Sequence, residues 1–187
     1  MNIPNFISFL RILLIPVMVV FFYLNIDIKY VITTGIFAVC AFTDFIDGYL
    51  ARKLNMVTNL GKFLDPIADK VLIAVALFLL TEAGAIPSPY LAIGASLILA
   101  RELIIGGFRQ IAAVNNIVIA ADKSGKIKTF VQDISIIVLL FTLHFSDVEI
   151  LKYTSYVVFA LAVVLTLYSG VMYIVKNSQV FSNTPEK

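Results

Sequence analysis

Six times along this chain an apolar stretch runs long enough to cross a bilayer's hydrocarbon core, roughly 30 Å, which takes about 20 helical residues. Only short segments separate these stretches, so little sequence remains for a domain outside the membrane. Of the 187 residues, 60% are hydrophobic and 14% charged, against roughly 45–50% and about 25% in soluble domains. A soluble globule is excluded on that ground. A β-barrel is disfavoured because its strands would alternate apolar with polar, whereas a stretch such as 157–167 is apolar on every face. The expected fold is an all-α polytopic membrane protein with six transmembrane helices.

The expected spans are residues 5–24, 30–50, 64–80, 88–110, 126–145 and 150–175. They form one transmembrane domain over 1–176, followed by a short polar tail over 177–187. The first run is read as a retained span: Arg11 stands alone before it, and Asn25-Ile26-Asp27 offers no small-residue cleavage site. The single cysteine, Cys40, rules out an internal disulfide and suits buried helix filler. A net charge of +2 is too mild for nucleic-acid binding. The placement of charge says more. With the N-terminus cytoplasmic, that side holds Arg52, Lys53, Lys62, Arg109, Lys123, Lys126, Lys128, Lys176 and Lys187, and the other only Lys29 and Lys152. Both termini and the connections 51–63 and 111–125 are expected at the cytoplasmic face, with 25–29, 81–87 and 146–149 outside.

A charge within a span is costly, about 2.5–3.5 kcal/mol for a central Asp, so such residues are functional candidates. Asp44 and Asp47 lie three apart near the end of the second span, and Asp65 and Asp69 four apart at the start of the third. At 3.6 residues per turn each pair shares a helix face, and the short connection lets both faces converge. Four carboxylates in one place repel unless protons or cations lie between them. Oxygen-only ligation without His or Cys favours Mg²⁺ or Mn²⁺ over Zn²⁺, and a two-ion cluster suits phosphoryl transfer. The bland alternative is four aspartates snorkelling or paired with Arg52, Lys62 and Lys70. Gly48, Ala51 and Gly61 leave space for a ligand near the backbone, although small residues also serve helix packing. Arg52 offers a planar fork for phosphate oxygens. Metal ions with one arginine point to a diphosphate.

The pattern Asp44-x-x-Asp47-Gly48-x-x-Ala51-Arg52, eight residues, then Gly61-x-x-x-Asp65-x-x-x-Asp69 resembles the signature of the CDP-alcohol phosphatidyltransferase family at every defined position. The resemblance implies a six-helix membrane fold, commonly homodimeric, that moves a phosphatidyl or similar group from a CDP-linked donor to an alcohol and releases CMP. It implies that Asp44, Asp47, Asp65 and Asp69 hold two divalent cations, Mg²⁺ or Mn²⁺, and that Asp69 is the general base. It also assigns Gly48, Arg52 and Thr58 to the CDP moiety, with Ala51 and Gly61 giving clearance. Pro4-Asn5-Phe6-Ile7-Ser8 matches the family's opening pattern and adds Asn5 and Ser8 as nucleotide contacts.

The acceptor must be read outside that signature. Arg101 and Glu102 lie within the fourth span, Arg109 two turns on, and Lys123, Lys126 and Lys128 surround the start of the fifth. Arg101 and Arg109 are about 80° apart around the helix. An acceptor carrying a phosphate would need several of these cations. Their bland reading is positive-inside topology with an Arg101–Glu102 or Arg109–Asp122 contact. Residues 2–5, 61–70, 100–102 and 125–129 resemble the bacterial subfamily that uses CDP-diacylglycerol with glycerol 3-phosphate, which implies an inner-membrane enzyme acting at the cytoplasmic face. Gly106-Gly107 departs from many relatives and leaves the shape of the acceptor pocket open. The same chemistry with inositol phosphate, serine or phosphatidylglycerol is one alternative; a cation transporter with intramembrane aspartates is another, which explains the acids but not Gly48, Ala51, Arg52 and Gly61. His144 reads as an interfacial side chain, and Tyr30, Tyr90 and Tyr153 as members of aromatic belts.

Overall fold

The computed structural model describes residues 3–53, 59–114 and 123–178, with the side chains of 3–6, 44–53, 59, 60, 62, 63, 65 and 123 lying outside that description. The described residues form six helices and no strand: α1 Ile3–Tyr23, α2 Lys29–Lys53, α3 Asn59–Glu82, α4 Tyr90–Val114, α5 Lys123–His144 and α6 Glu149–Lys176. Among them α4, the Ser124–His144 stretch of α5 and α6 are long and apolar enough to cross a membrane. Ile7–Tyr23 of α1 and Lys29–Thr43 of α2 are shorter apolar stretches.

Two expected connections prove shorter. The segments expected at 51–63 and 111–125 are helical as far as Lys53, from Asn59, as far as Val114 and from Lys123. Apolar runs mark where a helix is buried in hydrocarbon, but backbone hydrogen bonding carries the helix on into polar sequence. The α3 end follows turn chemistry. Gly84 adopts φ 66°, which costs a glycine nothing, and the Gly84 and Ala85 amides donate back to Thr81 and Leu80 carbonyls at 3.2 and 3.1 Å.

The molecule is inverted relative to a water-soluble one. Leu103, Phe78, Phe130, Val157 and Val164 each expose about 60% or more of their surface, while Ser8, Thr33, Lys128, Gln132, Ser135, Ser155, Thr166 and Ser169 are buried. Water would drive such an exterior to aggregate, and hydrocarbon solvates it. The larger of two apolar clusters among the described residues joins all six helices through Met18, Phe37, Leu77, Ile98, Leu139 and Phe159. Cys40 is buried within it. Packing is most extensive between α5 and α6 and between α1 and α2, followed by α1 with α3, α2 with α5 and α4 with α6. Tyr90 and Tyr153 are exposed, and Tyr30 packs edge-on against Phe22 at 5.4 Å.

One glycine sets the α4–α6 crossing. A Cβ on Gly94 would fall 2.6 and 2.8 Å from the Phe159 ring and 3.1 Å from Val163, so the helices approach only because that position is bare. Gly94→Ala is expected to destabilise the fold by about 1–3 kcal/mol, as overpacking does. Thermal unfolding in detergent reads the loss, and an unchanged midpoint would contradict this close approach.

Candidate active site at one end of the bundle

The short connections make consecutive helices run in opposite directions, which brings the end of α2, the start of α3, the end of α4 and the start of α5 towards one end of the bundle. α2 carries Asp44, Asp47, Gly48, Ala51 and Arg52 in its last turns, and α3 carries Gly61, Asp65 and Asp69 in its first. The two helices pack together. The side chains of Asp44, Asp47, Ala51, Arg52 and Asp65, with Asn5 and Lys123, lie outside the described residues, as do Gly48's surroundings and Thr58 altogether. Gly61 and Ser8 are buried, and Asp69 is half-buried. Among the described residues no three His, Cys, Asp or Glu side chains converge.

The described part of the site centres on a buried ion cluster. The Lys128 ammonium, 2% exposed, donates to Glu102 Oε1. Arg101 Nη1 donates to the same oxygen at 3.0 Å, and its Nη2 to Ser169 Oγ at 3.0 Å. The Asp69 carboxylate lies within electrostatic reach of Lys128. Three helices therefore meet at one level, α4 through Arg101 and Glu102, α5 through Lys128 and α6 through Ser169. Glu102 is shared by two cations, and the Asp69 carboxylate nearby brings the set of Arg101, Lys128, Glu102 and Asp69 to formal neutrality. A cation in such a low-dielectric setting makes strong charge-assisted contacts with any phosphate that reaches it.

Arg109 takes a different partner. Its Nε donates to Tyr173 Oη at 2.9 Å, and its guanidinium carbon stands 5.1 Å from the Tyr173 ring centroid, a cation–π geometry. Arg109 and Lys126 are exposed, unlike Lys128. The expected Arg101–Glu102 contact is present; Asp122, the other partner considered, lies outside the described residues. Gly106 receives Lys70: a Cβ there would fall 2.5 Å from Lys70 Nζ, while Gly107 faces open space. His144 ends α5 at the opposite end from Lys128 and rests edge-on against Phe145.

Sequence reasoning places α6 as a span but does not reach its contribution to the site. Ser169, Gly170 and Tyr173 serve both arginines of α4, and the signal for them was a Ser-Gly pair late in a largely apolar span.

A family model described as CDP-alcohol phosphatidyltransferase matches residues 1–168. The chain is also similar to several proteins named CDP-diacylglycerol–glycerol-3-phosphate 3-phosphatidyltransferase. That of Rickettsia felis is 34% identical over 172 residues, covering 92% of this chain and 93% of the relative. That of Salmonella choleraesuis is 37% identical over 175 residues, with 92% and 93% covered, and that of Bacillus subtilis 35% over 189 residues, with 94% and 95% covered. With the aspartate signature on α2 and α3 and a match over nearly the whole length, the chain belongs to the CDP-alcohol phosphatidyltransferase family.

Proposed function

We infer that the chain transfers the phosphatidyl group of CDP-diacylglycerol to sn-glycerol 3-phosphate with release of CMP, the activity of a phosphatidylglycerophosphate synthase in phospholipid synthesis. The observation that supports the reading is the Lys128–Glu102–Arg101 cluster, a buried ammonium and a partly buried guanidinium suited to an acceptor's phosphate, with Asp69 within electrostatic reach of Lys128. The names of the full-length relatives support the same acceptor. Family membership sets aside the cation-transporter alternative.

The reading extends the three long apolar helices to six spans of a bacterial inner membrane, with both termini and the site on the cytoplasmic side. Residues 1–176 act as one catalytic domain, 177–187 as a polar tail, and the working unit is a homodimer. A lipid donor and a soluble acceptor require a site at the membrane surface, and the biased placement of Lys and Arg supports that location.

Asp44, Asp47, Asp65 and Asp69 would hold two divalent cations, Mg²⁺ or Mn²⁺. The fit rests on four oxygen-only donors at the adjoining ends of two packed helices. When bound, such ions neutralise the donor's diphosphate and stabilise the charge that develops on departing CMP. Asp69 accepts the proton of the glycerol hydroxyl as that oxygen bonds to the phosphatidyl phosphorus and the bond from phosphorus to CMP breaks. Arg52 grips the diphosphate, while Asn5, Ser8, Gly48, Ala51, Thr58 and Gly61 line the cytidine side. Arg101, Arg109, Lys123, Lys126 and Lys128 orient the acceptor's phosphate. No covalent enzyme intermediate is required.

The test uses purified full-length protein in mixed micelles, with CMP release as the readout. Release is expected only when CDP-diacylglycerol, glycerol 3-phosphate and Mg²⁺ or Mn²⁺ are all present, and to stop on chelation. Release that ignores a chelator would overturn the metal assignment, and no release under any of these conditions would overturn the transferase reading.

A further inference from the structure

We propose that α6 is a working part of the acceptor site, with Ser169 and Gly170 acting as positioning residues that set the Arg101 guanidinium for the acceptor's phosphate. The proposal rests on the reading of Arg101 as an acceptor contact.

The argument begins with the serine's own proton. Ser169 Oγ donates to the Thr166 carbonyl at 3.1 Å, which turns its lone pairs away from the α6 backbone and makes the hydroxyl an acceptor for Arg101 Nη2 at 3.0 Å. Glu102 Oε1 holds Nη1 at 3.0 Å. Both ends of the planar fork are thus fixed, one from α4 and one from α6, and each terminal nitrogen keeps one N–H for an incoming anion. Gly170 completes the seat. A Cβ at that position would lie 2.9 Å from Arg101 Cγ, 3.2 Å from Nε and 3.7 Å from Cδ. The nearest atoms are all Arg101's, so the missing side chain leaves a slot filled by the arginine stem. Arg101 Nε is buried in that slot without a hydrogen-bond partner. A charged side chain held with one donor unsatisfied needs a reason, and delivery of the two terminal nitrogens to a ligand supplies one.

A merely structural α6 would respond differently to substitution. In the purified full-length protein, Gly170→Ala and Ser169→Ala should each raise the KM for glycerol 3-phosphate about tenfold, the lower end for a contact to a charged group. The KM for CDP-diacylglycerol should stay within about twofold, since its diphosphate is held elsewhere. The decisive arm is the pair with Arg101→Ala. Once the arginine stem is gone, a methyl at position 170 meets nothing, so adding Gly170→Ala to Arg101→Ala should leave the acceptor KM where Arg101→Ala alone put it. The proposal is overturned if Gly170→Ala and Ser169→Ala leave the acceptor KM unchanged, raise both KM values together, or keep their effect without Arg101. Ser169→Ala adds no bulk and carries the same double-variant test if Gly170→Ala does not fold. Should Arg101→Ala itself leave the acceptor KM unaltered, the fault lies with the acceptor reading of Arg101, an outcome distinct from an α6 that fails to position it and one that removes the proposal's basis.

Discussion

Asp69→Asn is expected to lower turnover by about 10²–10⁴-fold, the loss typical of removing a general base. The amide matches the carboxylate in shape but cannot take up the hydroxyl proton at neutral pH. Asp69 is half-buried near the start of α3, so the exchange removes a charge without opening a cavity. Thermal unfolding in detergent should therefore change little while CMP release collapses. Near-normal turnover would exclude Asp69 as the base. Asp44→Ala and Asp65→Ala should act first on metal affinity, with excess Mg²⁺ or Mn²⁺ restoring part of their rate.

Lys128→Met should raise the KM for glycerol 3-phosphate by a factor of roughly 10–150, corresponding to loss of a charge-assisted contact worth about 1.5–3 kcal/mol. Burial decides why Lys128 should matter more than its neighbours. At 2% exposure its charge is poorly screened, whereas exposed Lys126 and Arg109 act through water and counter-ions. Glu102 keeps Arg101 as a partner in the variant, so the change does not strand a buried carboxylate. Affinity for CDP-diacylglycerol should hold. Arg52→Ala should give the reverse pattern, weakening donor more than acceptor. Steady-state kinetics with each substrate varied in turn checks both, and an unaltered acceptor KM in Lys128→Met would leave the buried cluster a structural role only.

What could be read from the sequence follows from which interactions are local. Apolar periodicity located all six helices, since a helix is closed by hydrogen bonds within a few residues. Its ends were less legible: α3 begins at Asn59 rather than 64 because Lys62 and Asp65 interrupt the apolar run without interrupting the helix. The Asp44, Asp47, Asp65 and Asp69 spacing pointed to metal and diphosphate chemistry because each pair is itself a local helical pattern. Partners of the cations were beyond reach. Lys128 meets Glu102 across 26 residues and Arg101 meets Ser169 across 68, and nothing in the spacing of either pair announces it. Tertiary packing alone chooses Ser169 and Tyr173 over the other polar side chains of α6, and the seat at Gly170 exists only once Arg101 has been laid against it.

The identity of the acceptor is tested most directly by offering radiolabelled alcohols one at a time to the purified protein with CDP-diacylglycerol and Mg²⁺, and counting label in extracted lipid against CMP released. Label from sn-glycerol 3-phosphate should enter lipid with one CMP formed per product, while serine, inositol phosphate and phosphatidylglycerol remain inert. Transfer to any of those three in preference to glycerol 3-phosphate would contradict the account.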